Sequence, residues 1–238
     1  MSKKRVFIGV GHGGSDPGAQ SNGLVESKLN LVMALECNRV LVEHGVEVLM
    51  SRYKDENDDI AEEVRECNSF KPDLAIDIHN NSGGGDGFEI FHSRLGGVGK
   101  QLAHKIEKEV LAIGQNSRGC KVKLNKTGRD YFKFIRETNC PAVIAEGCFL
   151  DSKDRLIADT LDEQKKFGLA YAKGILKQLN ITYKAPSKPN NSKPQTSAKG
   201  TVYQVVIGSF KEKKNAEECL NKAKKAGFKD SFIDAEKR

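Results

Sequence analysis

RVFIGVGHGGSDPGAQSNGLVESKLNLVMALECNRVLVEHGVEVLM (5–50) decides the fold class. Its first six residues are an apolar run with no polar alternation, which predicts a strand buried on both faces. Residues 11–24 carry five glycines and a proline, so the chain there is an irregular loop. From 27 to 44, Leu29, Val32, Met33, Cys37, Val40 and Leu41 recur at helical spacing, and Gly45 supplies a helix stop. VEVLM (46–50) is again strand-like. Strand, loop, helix and strand in that order form the repeating unit of a parallel sheet.

The same alternation continues. Residues 57–69 predict a helix with Ile60, Ala61, Val64 and Cys67 on one face, bounded by Pro72 before the strand DLAIDI (73–78). GFEIFH (87–92) reads as a strand and 98–113 as a helix. Residues 114–131 read as a polar, basic loop, FKFIRE (132–137) as a short strand, PAVIA (141–145) as the last strand, and 160–179 as a closing helix. The expected fold is α/β, a mostly parallel twisted sheet with helices on both faces. A first domain spans 1–181.

Three short apolar runs end directly at chemistry-bearing residues: His12 after 5–10, His79 after 73–78 and Glu146 after 141–145. Glu26 opens the first helix. Open α/β sheets gather ligands beyond the carboxyl ends of their strands, which brings His12, His79 and Glu146 to one edge. Two imidazoles and two carboxylates at one edge satisfy a catalytic zinc site: three ligands, an open position for water and a nearby base. Plainer readings exist for each residue. Glu26 is also a first-turn acid favoured by the helix dipole, and Glu146 a salt-bridge partner. His44 reads as a helix-end residue satisfying carbonyls, and His92 and His104 as surface residues without metal.

Six cysteines lack any C-x-x-C spacing and read as reduced core or incidental residues. Of the 39 Lys and Arg, 13 lie from Thr182 onward, against 6 of the 32 Asp and Glu. The net charge of +7 therefore lies wholly in the tail. That suits an anionic polymer, and no nucleic-acid motif accompanies it. No apolar run reaches the roughly 18 residues of a membrane helix. The N-terminal apolar run is too short for a signal peptide, so synthesis in the cytoplasm is expected. Residues 182–200, rich in Pro, Ser, Asn and Lys, read as a linker. VYQVVIGSF (202–210), KNAEECLNKAKKAG (214–227) and SFID (231–234) then read as strand, helix and the start of a second strand, a small module over 201–238.

The motifs GHGGSDPGA (11–19), GLVES (23–27), SRYKD (51–55), IDIHNNS (76–82) and PAVIAEGCFLDSKD (141–154) together resemble the zinc-dependent N-acetylmuramoyl-L-alanine amidases. The resemblance spans about residues 5–179. It implies His12, Glu26 and His79 as zinc ligands and Glu146 as catalytic base, cleaving the amide between N-acetylmuramic acid and L-alanine in peptidoglycan. It also implies structural roles for Arg52, Arg65 and Asn68, and a substrate-lining place for Asn81. Gly9-Val10 stands where the family has Asp-Pro, and Cys148 and Asp151 are variants. The tail is similar to the first half of a SPOR domain, a peptidoglycan-binding module, acting either as a wall tether or by pairing two chains into a homodimer. An endolysin or a mother-cell lysis amidase, reaching the wall after the membrane is breached, matches this picture. The alternatives are a zinc peptidase acting on stem peptides and a non-catalytic wall-binding protein.

Overall fold

The computed structural model describes residues 3–185, 212–225 and 233. The chain divides into two units, Met1–Ala185 and Pro186–Arg238. In chain order the first unit contains β1 (Arg5–Val10), β2 (Gln20–Ser21), β3 (Leu24–Val25), α1 (Glu26–Glu43), β4 (Glu47–Met50), α2 (Ile60–Phe70) and β5 (Leu74–Asn81). These are followed by β6 (Phe88–His92), α3 (Gly97–Ala112), β7 (Ser117–Lys121), α4 (Lys133–Glu137), β8 (Ala142–Phe149) and α5 (Leu161–Gln178). The main sheet has six strands in the order β4-β1-β5-β8-β6-β7. Pairing is parallel from β4 through β8, and β6 runs antiparallel to β8. The sheet is mostly parallel, as its unalternating strands predict.

Strand parity sorts the core into two layers. Val6, Ile8 and Val10 of β1, Ile76 and Ile78 of β5, and Val143 and Ala145 of β8 pack with α1, α3 and α5. Phe7, Ala75, Ala142 and Ile144 turn the other way, against Val64 and Cys67 of α2 and Phe134 and Ile135 of α4. Each fully buried Val, Ile or Phe contributes about 1.5–3 kcal/mol, which is why an apolar run makes the interior strand β1, paired on both sides by β4 and β5. Helix ends are set locally. Gly45 at φ 79 takes the left-handed turn after α1, and His44 Nδ1 lies 2.7 Å from the Val40 carbonyl. Thr160 and Glu163 form a reciprocal capping box at the start of α5.

Three expectations need correction. FKFIRE is helical, not a strand: Lys133–Glu137 forms α4, because the adjacent Phe134 and Ile135 are both buried on one side, which strand alternation forbids. The stretch read as loop at 114–131 contains β7, an edge strand whose sequence SRGCK has no apolar stripe; its backbone pairing with β6 defines it. His92 is buried rather than on the surface, with Nδ1 2.8 Å from the Ser93 carbonyl. Packing continues past Leu179: Tyr183 stacks on His44 with ring centroids 5.2 Å apart, and the Lys184 amide donates to His44 Nε2 at 2.9 Å.

In the second unit, α6 (Lys213–Lys225) occupies most of the predicted tail helix. The strand VYQVVIGSF and the end of the expected helix, Ala226 and Gly227, lie outside the described residues, as do residues 186–200 of the linker and all of SFID but Ile233. Among the described residues, no helix is long and apolar enough to cross a membrane.

Candidate active site

The ends of β1 and β5 bring two histidines together. Beyond Val10 the chain turns with His12 at φ 62, while the Gly11 amide still donates to the Ile78 carbonyl of β5 at 3.1 Å. Gly11 permits this approach: a Cβ there would lie 2.1 Å from the His79 ring. The His12 and His79 rings meet edge to face, centroids 5.1 Å apart.

Glu26, the first residue of α1, lies between them and is buried. Its Oε2 is 3.3 Å from His12 Nε2 and accepts the Ala19 amide at 2.9 Å. Its Oε1 is 3.2 Å from His79 Nδ1 and accepts the Asn80 amide at 3.1 Å. Burial alone would raise this carboxyl. Hydrogen bonds from His12 and His79 outweigh it and hold the group well below the usual carboxylate range. The His12 imidazole is raised in turn, first by Glu26. For His79, burial lowers the pKa, but the neighbouring Asp77 and Glu26 carboxylates raise it well above the usual value.

The donor set fits a divalent cation. One ligand atom each from His12, Glu26 and His79 lies within 4.8 Å of the others. Each imidazole is braced through its other nitrogen: His12 Nδ1 by Asp16 at 2.8 Å, and His79 Nε2 by Asp77 at 3.3 Å. Such outer carboxylates fix ring orientation in metal sites. Neither Asp16 nor Asp77 figures among the sequence candidates. Asp77 was legible, because strand alternation puts residues two apart on one face. Asp16, four residues beyond His12 in an irregular loop, carries no such signal.

Glu146 sits on β8 as register partner of both His79 on β5 and Glu89 on β6. Burial pushes its carboxyl up to about 7, and His79 draws it down. Glu89 in the same row is held by Arg118 and Lys121. Asn81 lies one residue beyond the site contacts; its side chain accepts its neighbour Ser82's amide at 2.9 Å. Asn80 supports the site from behind: besides donating its backbone amide to Glu26, it donates through its side chain to Asn30 at 2.8 Å and accepts the Cys148 amide at 3.1 Å. Arg52 is buried and donates to the carbonyls of Val10, Gly11, Ser27 and Lys54, tying the His12 loop to the start of α1. Asn68 joins α2 to the end of α4 through Glu137 and Asn139, while Arg65 pairs with Glu62 on the surface.

The N-acetylmuramoyl-L-alanine amidase profile matches residues 6–177, a stretch that includes all four candidate residues. The chain belongs to the N-acetylmuramoyl-L-alanine amidase family. Within that family it is 33% identical over 234 residues to the sporulation-specific N-acetylmuramoyl-L-alanine amidase of Bacillus subtilis, covering 96% of this chain and 84% of the relative. It is also 30% identical over 214 residues to the endolysin of Bacillus phage SPP1, covering 86% and 76%. Among solved structures, the amidase catalytic domain of CwlV from Bacillus (Paenibacillus) polymyxa superposes with a TM-score of 0.68 at 29% identity, covering 75% of this chain and 99% of that domain. Cwp6 from Clostridium difficile gives 0.73 at 34%, covering 75% and 30%. A SPOR domain profile matches residues 168–234, starting inside α5, whose Ala170, Tyr171, Ile175 and Leu176 are core residues of the first unit.

Proposed function

We propose that this amidase works with one zinc ion held by His12, Glu26 and His79, and with Glu146 as its catalytic base. The observation that carries the reading is the convergence of those three donors, each imidazole braced by its own carboxylate. When bound, zinc supplies Lewis-acid polarisation of the scissile carbonyl and lowers the pKa of its water. Asp16 and Asp77 hold the imidazoles in the tautomer that presents Nε2 of His12 and Nδ1 of His79 to the cation. Glu146, raised by burial, takes the proton of the attacking water. It then delivers that proton to the departing L-alanine amine. The bond broken joins the muramic lactyl carbonyl to the L-alanine nitrogen. The products are a free lactyl carboxylate and an intact peptide with a new amino terminus.

Residues 201–238 are proposed to act as a wall-binding half-module, separated from a catalytic domain of residues 1–181 by a linker at 182–200. The basic excess of the tail supports attraction to an anionic wall. Pairing of two such halves would make a homodimer, which sedimentation of the full chain decides. Catalysis then takes place at the wall itself.

Mass spectrometry of purified peptidoglycan after digestion tests the function. Release of complete stem peptides with free L-alanine amino termini is the expected product. Fragments cut within the stem would identify a peptidase instead, and undigested wall bound to protein a non-catalytic binder. Zinc content measured on the same preparation, with loss of activity on chelation and recovery on adding zinc, tests the cofactor.

A further inference from the structure

A second group of donors stands where α3 packs on the edge strand β7. His104 and Glu107 are three residues apart on α3 and so share a face; Cys120 reaches them from β7. His104 Nδ1 is 3.3 Å from Cys120 Sγ, Cys120 Sγ is 3.3 Å from Glu107 Oε2, and Glu107 Oε2 is 3.4 Å from His104 Nδ1. The same three atoms make all three contacts, so they mark the corners of a nearly equilateral triangle.

We propose that His104, Glu107 and Cys120 form a second divalent-metal site that takes zinc, separate from the donors at the strand ends. Tetrahedral zinc with ordinary bond lengths places its N, O and S ligands about 3.3–3.5 Å apart, the edge of this triangle. An imidazole, a carboxylate and a thiolate are all zinc ligands, and together the latter two bring the charge to balance a dication. The carboxylate is fixed in the required orientation by a further layer: Ser117 donates its hydroxyl to Glu107 Oε1 at 2.5 Å and accepts the Gly119 amide at 2.9 Å. The His104 side chain is 55% exposed, which leaves the fourth position open to water. Binding forms a sulfur–metal bond and releases the thiol proton to solvent. In the free protein burial and the adjacent Glu107 push that thiol up to about 12, the state a bound cation reverses. The result would be a clamp between a helix and the edge strand, the part of a sheet with least intrinsic protection.

Titration of the reduced, metal-stripped full chain with cobalt(II) is the test, because a thiolate ligand adds a sulfur-to-cobalt charge-transfer absorption in the near ultraviolet. The strand-end donors contain no sulfur, so they add nothing to this band whatever they bind, and its loss in Cys120→Ser assigns it to this site rather than to the other cysteines. The expected result is a saturable band displaced by zinc, lost in Cys120→Ser and lost in the surface variant His104→Ala. Cys120→Ser retains the chain's other cysteines. No band in the wild-type chain, or a band undiminished in Cys120→Ser, overturns the proposal.

Discussion

The Asp77 carboxylate stands 3.3 Å from Nε2 of His79, two residues along the same strand and on the same face. It turns the other ring nitrogen, Nδ1, toward Glu26. Asp77→Ala is therefore expected to weaken zinc binding by about 10–100-fold, the usual effect of removing an outer-shell partner. Chelator competition measures this directly. Activity lost at low zinc should return with excess zinc. Unchanged affinity would show that Asp77 does not orient the ligand.

Glu146 should behave as a base and not as a ligand. Glu146→Gln is expected to keep its bound zinc while kcat falls by about 10²–10⁴-fold, the range for a lost general base. A base must be ionised, so kcat/KM should rise with pH along an acidic limb governed by this group. Burial places its pKa at about 7, and a bound cation would move it lower. The variant's residual rate should lack that limb, which a pH series on a soluble muramoyl peptide measures. An unchanged limb would assign it to another group.

Behind Asp77 lies Glu63 of α2, buried, with Oε1 unpaired. Gly9 makes the space: a Cβ there would fall 1.9 Å from Glu63 Oε1 and 2.8 Å from Asp77 Oδ1. Burial first, and the Asp77 charge second, raise the Glu63 carboxyl well above its usual value. The folded chain thus binds a proton that the unfolded chain has released once pH exceeds the ordinary glutamate value. Stability contributed by this group is present below that value and is lost as pH rises toward the raised folded pKa. Glu63→Gln, which keeps shape without charge, should make melting temperature less sensitive to pH across that window and leave the chain at least as stable at alkaline pH. Scanning calorimetry at acidic and alkaline pH checks it; a parallel loss at both would mean the carboxyl itself is required.

Much of this arrangement is legible in the chain because hydrophobic runs and chemistry are contiguous. His12, His79 and Glu146 each follow a strand that reads plainly, so one rule about strand ends collects them. Glu26 is recognisable only as the opening residue of an amphipathic helix, and its meaning comes from where the loop 11–24 delivers that helix. Elements held by backbone pairing alone do not announce themselves. β7 has no apolar stripe, so the strand, and with it the meeting of Cys120 with His104, is invisible until the sheet is assembled. The braces differ from each other: Asp77, two residues before His79 on β5, was open to strand alternation, whereas Asp16, between Ser15 and Pro17 in an irregular loop, shows its use only through the ring orientation of His12.

Arg52 offers the clearest separation of structure from chemistry. Its guanidinium is buried and donates to four main-chain carbonyls, two of them on Val10 and Gly11 immediately before His12. Burial lowers its pKa, while nearby acids including Asp58 and Asp55 oppose that shift. Removing a buried, fully engaged charge leaves carbonyls without donors, at about 1–3 kcal/mol for each that water cannot reach. Arg52→Ala should therefore destabilise the chain by at least about 3 kcal/mol, read as a lower urea midpoint with an unchanged slope. Arg52→Lys restores charge but cannot reach four carbonyls from one ammonium, so it should recover only part of the loss. If both variants unfold at the wild-type midpoint yet lose zinc affinity, Arg52 acts on the His12 loop locally and not on the fold.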